Sequence, residues 1–566
     1  MASSLLSGER VVVALFTFRI IYSTSLSHLY ESISLSLLFL FALFVEISLE
    51  SSPSHSSLLN TRPGASSGVL LGAVSLPGVM FSRFILNSRA VLLNQVGAQD
   101  LEYMRLQYWA TTASCFSVLV YLCFILCHKF SHSHLFSLNG YWRNKLNIGF
   151  IALCAALFCV STAKSFSGRY TTLLLFWVLV HGLATVRLIQ HVLHTFPACA
   201  SVGEALLVTS GLVIYFGDMF ACTLVKIFGY VVSSEYGSIH FGIERDEIST
   251  IIQGVLLGLL LFPFFFKHVI LILPHITNSA YTEAREDHQK GRASMFYASL
   301  ACILILIVPS WMQLVHDFPA HPLLWVFNFV FSDPLKRLSL CIYWVSVIYA
   351  SVLRFYNISK SSKIERILLR KYYHLMAVMM FVPALILQPK FLNLAFGAAL
   401  AAFLTLEIIR VWRIWPLGHL VHQFLNAFTD HRDSDLLIVS HFSLLLGCAL
   451  PIWMSSGFND RPLAPFAGIL SLGIGDTMAS MVGHKYGVLR WSKTGKKTIE
   501  GTAAGITSVL AACSILIPIL ATTGYIFTQH WFSLLLAVTV SGLLEAYTAQ
   551  LDNAFIPLVF YSLLCI

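Results

Sequence analysis

Long apolar runs alternate with short polar connections along almost the whole chain, from 33–49 through 391–409 to 554–566. A run of roughly 20 apolar residues is what one helix needs to cross a bilayer with its backbone hydrogen bonds closed internally. About sixteen stretches approach that length, several of them short. The pattern predicts an all-α protein, a polytopic transmembrane helical bundle of roughly 14–17 spans. The segment 11–18 is brief and interrupted by Arg19, so it reads as a weak signal anchor.

Composition strengthens this reading. The 566 residues are 57% hydrophobic and only 11% charged, with a mean hydropathy of +0.76, far below the roughly 25% charged content of soluble domains. The net charge of +9 resides in loops between apolar spans. It follows the positive-inside rule and does not suggest nucleic acid. The twelve cysteines lie mostly inside apolar segments without paired spacing, as small buried hydrophobes.

Residues 1–350 form a multi-span region with no repeat and little visible chemistry. Beyond residue 350 the polar residues gather in four places: Arg354 to His374, Glu407 to Asp435, Asp476 to Thr502, and Glu545 to Asn553. Two spans separate each place from the next, so all four fall on one membrane face if every span crosses once. The loop 354–371 carries six basic residues against Glu365, which makes that face cytosolic. The sequon at Asn357 should then carry no glycan.

Asp476 closes an apolar stretch, where a carboxylate costs about 2.5–3.5 kcal/mol to insert and is a site by default. Asp476, Ala479, Ser480 and Gly483 share one small-residue helical face that admits a neighbouring backbone or a ligand. Gly487, Lys496, Lys497 and Thr498 follow, a loop suited to phosphate, before a helix that begins near Gly501. Lys371 and His374 share a helix face and could receive an anion or serve as an interfacial anchor. Glu407 and Arg410 are spaced for a helix-end ion pair. Asp430 and Asp433 belong to a carboxylate-rich stretch that could bind a cation or be a solvated loop, and Glu545, Asp552 and Asn553 are oxygen-rich in the same sense. Gly495-Lys-Lys-Thr498 is not a Walker A loop, since Arg490 stands where the first glycine belongs. Gly473-Ile-Gly475 is not a dinucleotide fingerprint, since Met478 replaces the third glycine.

Together the motifs Arg370-Lys371…His374, Glu407…Arg410, Asp476…Gly483…Gly487…Lys497-Thr-Ile-Glu-Gly-Thr502 and Asp552-Asn553 with Pro557 resemble the polyprenol kinase family. That group includes dolichol kinases, phytol kinases and the CTP-dependent diacylglycerol kinase of yeasts. The segment 428–453 and the long N-terminal region are similar to dolichol kinases in particular, of the plant-like kind. The resemblance makes 351–566 the catalytic region and implies transfer of the γ-phosphoryl group of CTP to dolichol. Dolichyl phosphate, the lipid carrier for protein glycosylation, would form on the cytosolic face of the endoplasmic reticulum membrane.

Phosphoryl transfer through a loose transition state depends mostly on positioning and charge stabilisation. On that basis Lys496 and Lys497, with Gly483, Gly487, Thr498, Glu500, Gly501 and Thr502, are expected to hold the nucleotide. Asp476, Asp552 and Asn553 would hold a divalent cation, Mg²⁺ or Ca²⁺. Lys371, His374 and Arg410 would complete the cradle or orient the alcohol, with Asp430 or Asp433 as base. Kinases of another lipid alcohol (a shorter polyprenol, phytol or diacylglycerol) and a multi-span transporter are the alternatives. An intramembrane aspartyl protease would share the Gly473-Ile-Gly-Asp476 and Pro383-Ala-Leu385 elements. Their order is reversed here and no Tyr-Asp pair occurs.

Overall fold

The computed structural model describes residues 7–51, 61–62, 66–93, 97–130, 171–231, 245–272, 285–361, 366–426, 439–455, 459–491, 497–522 and 531–566. The N-terminal helices are α1 (Gly8–Tyr22), α2 (Leu29–Glu50), α3 (Val69–Leu92), α4 (Ala98–Phe130), α5 (Thr171–Thr195), α6 (Val202–Val231) and α7 (Glu247–Ile272). In the middle lie α8 (Arg285–Cys302), α9 (Val308–Val315), α10 (Pro322–Ser332), α11 (Pro334–Ser361), α12 (Arg366–Leu387), α13 (Pro389–Trp412) and α14 (Gly418–Asn426). The last are α15 (Val439–Met454), a π-helix (Ile469–Asp476) continued by α16 (Thr477–Tyr486), α17 (Ile499–Thr522), α18 (Trp531–Tyr547) and α19 (Asp552–Cys565). Ten of the described helices are long and apolar enough to cross a membrane, and five further apolar helices are shorter. The all-α bundle expected from the apolar pattern is what the chain forms.

Side chains such as Phe44, Phe176, Phe264, Phe327 and Ile515 are exposed on these helices. An apolar exterior of this kind is normal where lipid, not water, is the neighbour. Helix α3 lies at the opposite extreme, with 94% of its most apolar window buried. It packs on α2, α4 and α6 and also on α19 at the far end of the chain. Helix α1 packs on α18. One apolar core therefore runs through both halves of the sequence, from Phe16 and Phe81 to Phe555 and Phe560.

Polar contacts tie the halves at defined points. Arg89 of α3 donates to both oxygens of Asp460, at 3.0 Å each, and Ser82 is 2.6 Å from Ser562, hydroxyl to hydroxyl. Gln550, in the turn between α18 and α19, is fully buried. Its side-chain amide donates to Ser66 Oγ at 2.9 Å and its amide oxygen accepts from Ser201. Gly68 sits against that carboxamide with φ of +62°, a backbone conformation and a closeness that a side chain would not allow.

Candidate functional site

The site starts from the π-helix. An i→i+5 winding is rare and concentrates at functional positions, because it displaces side chains and carbonyls from their α-helical register. Here it ends on Asp476, which is 3% exposed. Helix α12 crosses this segment at Gly473, where any β-carbon would overlap the side chain of Val378. The close crossing brings two side chains of α12, one turn apart, onto one carboxylate. Lys371 Nζ donates to Asp476 Oδ2, and His374 Nδ1 lies 3.2 Å from the same oxygen. His374 Nδ1 is also 3.2 Å from the Leu472 carbonyl. Both neighbours are acceptors, so Nδ1 carries the ring proton. Thr477 adds a hydrogen bond of 3.3 Å to the Lys371 carbonyl. Asp476 Oδ1 makes no hydrogen bond to a described residue.

A second group faces the first. The backbone on either side of residues 492–496 pairs with itself, Ile499 N donating to Leu489 O at 2.8 Å and Trp491 N to Lys497 O at 3.2 Å. Glu500 takes the Leu489 amide at 2.9 Å, and Trp491 Nε1 donates to Thr502 Oγ1 at 2.9 Å. The Thr498 hydroxyl accepts from Gly501 N at 3.2 Å, capping α17. So braced, the loop delivers Lys497 to the C-terminal end of α18, where its ammonium donates to the Glu545 carbonyl and lies 3.6 Å from Asp552 Oδ2. A cation there complements the negative end of the helix dipole. Asp552 Oδ1 is buried without a hydrogen-bond partner. Glu545, whose carbonyl takes the Lys497 ammonium, lies within electrostatic reach of Asp476 and Lys371 as well as of Asp552.

The small-residue face has a different use from an open binding surface. Helix α17 fills it: a β-carbon on Gly501 would lie 2.6 Å from the Ala479 carbonyl oxygen and 3.0 Å from Gly483 Cα, and Gly487 abuts Thr498. Gly483, Gly487, Thr498, Glu500, Gly501 and Thr502 thus shape the loop that carries Lys497. Lys497, carried by them, directs its ammonium to the acidic residues.

The family model described as dolichol kinase matches residues 175–506. The dolichol kinase EVAN of Arabidopsis thaliana is 60% identical over 566 residues, covering 100% of this chain and 99% of the relative. The chain belongs to the dolichol kinase family. The dolichol kinases of Homo sapiens and Bos taurus are each 31% identical over 66% of both chains. That of Schizosaccharomyces pombe is 32% identical over 48% of this chain and 55% of the relative. No solved structure matches the chain. As a member of this family it is a membrane-embedded lipid phosphotransferase that uses a nucleotide co-substrate.

Among the residues singled out from the dolichol kinase motifs, Lys371, His374, Asp476, Lys497 and Asp552 converge. Asn553, beside Asp552, donates from Nδ2 to Ser443 Oγ at 3.2 Å. Arg410, 1% exposed, makes a bidentate pair with Glu407 at 2.7 and 2.8 Å, and no described contact joins it to Asp476 or Lys371. Lys496, Asp430 and Asp433 lie outside the described residues. Sequence reasoning grouped Glu545 with Asp552 and Asn553 as an oxygen-rich cluster able to bind a cation and gave it no catalytic role. A carboxylate in the last turn of an apolar helix opposes the helix dipole, and that misplacement is the signal that could have singled it out.

Proposed function

We propose that this chain transfers the γ-phosphoryl group of CTP to the terminal hydroxyl of dolichol on the cytosolic face of the endoplasmic reticulum membrane. The convergence of Lys371, Asp476, Lys497 and Asp552 from three segments remote in sequence carries the reading. Region 351–566 supplies every one of these groups, and the polyisoprenoid tail stays in lipid while its hydroxyl reaches them.

A divalent cation, Mg²⁺ or Ca²⁺, fits the donor set. Two ammonium groups, Lys371 and Lys497, face three carboxylates, Asp476, Glu545 and Asp552. That balance would repel a polyphosphate without a further cation. Asp476 Oδ1 and the buried, unpartnered Asp552 Oδ1 would hold it. Among the described residues no three His, Cys, Asp or Glu side chains gather tightly enough to hold a metal alone, and substrate phosphate oxygens would share in holding it, as is common for Mg²⁺. When bound, the cation neutralises charge on the triphosphate. Lys497 contacts the phosphates directly, and Lys371, released from Asp476 by the incoming nucleotide, contacts them from the opposite side. His374 keeps Asp476 oriented.

Full-length protein in lipid nanodiscs, given dolichol and nucleotide labelled at the γ-phosphate, tests this. Label should appear in dolichyl phosphate with CTP and a divalent cation, and fall more than about 100-fold in Lys497→Ala, the loss typical of a charge contact made in the transition state. Transfer from ATP alone, or to phytol or diacylglycerol in preference to dolichol, would refute the assignment.

A further inference from the structure

Beneath the charged groups, α17, α18, the π-helix and α19 leave a partly open cavity of about 20 Å³, room for one water- or hydroxyl-sized group. Ser541 and Glu545, one turn apart on α18, both line it. Ser541 is 5% exposed, and neither its hydroxyl nor the Glu545 carboxylate makes a hydrogen bond to a described residue. Both groups are turned to the cavity, so their hydrogen-bonding capacity is open to whatever occupies it. Ile506, Val509 and Val538 contribute apolar wall, and the hydroxyl residues Ser471 and Thr502 also line it. From Glu545 to Val538 the cavity wall follows seven residues of α18, about 10 Å of helix axis. One end is therefore polar and meets the phosphate-handling residues, and the other is hydrocarbon.

From this juxtaposition we infer that Ser541 and Glu545 seat the hydroxyl of the lipid alcohol, with Glu545 as the group that takes its proton. The inference rests on the proposed lipid-alcohol kinase reading. The alcohol oxygen forms its bond to the γ-phosphorus as the bond from that phosphorus to the bridging oxygen breaks. The nucleoside diphosphate leaves with the electron pair, and the hydroxyl proton passes to the Glu545 carboxylate. Ser541 donates to the alcohol oxygen and fixes its direction. Asp430 and Asp433 are then not required as the base.

Steady-state kinetics of the full chain test it with wild type, Glu545→Gln, Glu545→Asp and Ser541→Ala, using farnesol as a soluble acceptor beside dolichol. Glu545→Gln should lower kcat about 100-fold, within the range of a lost general base, leave the nucleotide KM unchanged, and abolish the acidic limb of the pH profile. Glu545→Asp should restore part of kcat. Ser541→Ala should raise the alcohol KM about tenfold, the loss of one hydrogen bond, at unchanged nucleotide KM. A Glu545→Gln enzyme with undiminished kcat overturns the inference and leaves the kinase reading standing. So does one whose defect is a raised cation requirement measured by Mn²⁺ binding, which would make Glu545 a metal ligand. Wild-type protein inactive on every lipid alcohol would instead remove the underlying reading.

Discussion

Asp476 and Lys371 are a buried ion pair in a setting where each charge alone is costly. Truncating one member of such a pair commonly costs about 3–5 kcal/mol, because the other is left uncompensated. Asp476→Ala should accordingly lower the thermal unfolding midpoint of the detergent-solubilised protein, and Lys371→Met on top of it should recover most of that loss. Activity should return in neither. A double variant as unstable as Asp476→Ala would show that the carboxylate acts through something other than Lys371. Asp476, Lys371 and His374 were legible from sequence, since ionisable residues bordering apolar runs are rare and their helical spacing is simple. Ser541 and Gln550 were not, because a serine or glutamine in a membrane helix is ordinary, and only the three-dimensional neighbours distinguish a hydroxyl that lacks a partner.

At the scale of elements, the placement of Lys497 depends on how closely α16 and α17 approach. Gly501 sits between the Ala479 carbonyl and Gly483, and extra methyl groups in a filled contact cost about 1–3 kcal/mol. Gly501→Val should push α17 outward and move Lys497 from the end of α18. The expected outcome is a nucleotide KM raised at least about tenfold, equivalent to about 1.4 kcal/mol, with the alcohol KM little changed. Equal effects on both would mean that the helix pair supports the whole site. The helices themselves were readable from hydropathy. Their pairing was not, and the small-residue face that reads as a ligand surface is occupied by a neighbouring backbone, the commoner use of such faces in membranes. The π-winding was also invisible, as no residue pattern in 469–476 departs from an α-helical one.

The whole molecule explains what the first half of the chain contributes. None of the side chains proposed above for catalysis comes from it, yet the turn between Glu545 and Asp552 hangs on Gln550, which is held by Ser66 and Ser201 at the starts of α3 and α6. Gln550→Leu removes these bonds and buries Ser66 and Ser201 against hydrocarbon. It should reduce kcat about tenfold or more while near-native amounts of folded protein are recovered by size-exclusion chromatography, on the estimate of about 1–3 kcal/mol for stranded polar groups. Unaltered kcat would mean that the turn holds its shape unaided. Charge counting placed the polar clusters on one face, but contacts spanning several hundred residues leave no periodic trace in a sequence. Helices α3 and α6 begin on either side of Gln550 and are themselves packed within the first half of the bundle. A change of bilayer that shifts these two helices against each other would reach the turn that carries Asp552, and the catalytic rate should then respond to lipid composition even where acceptor supply is saturating.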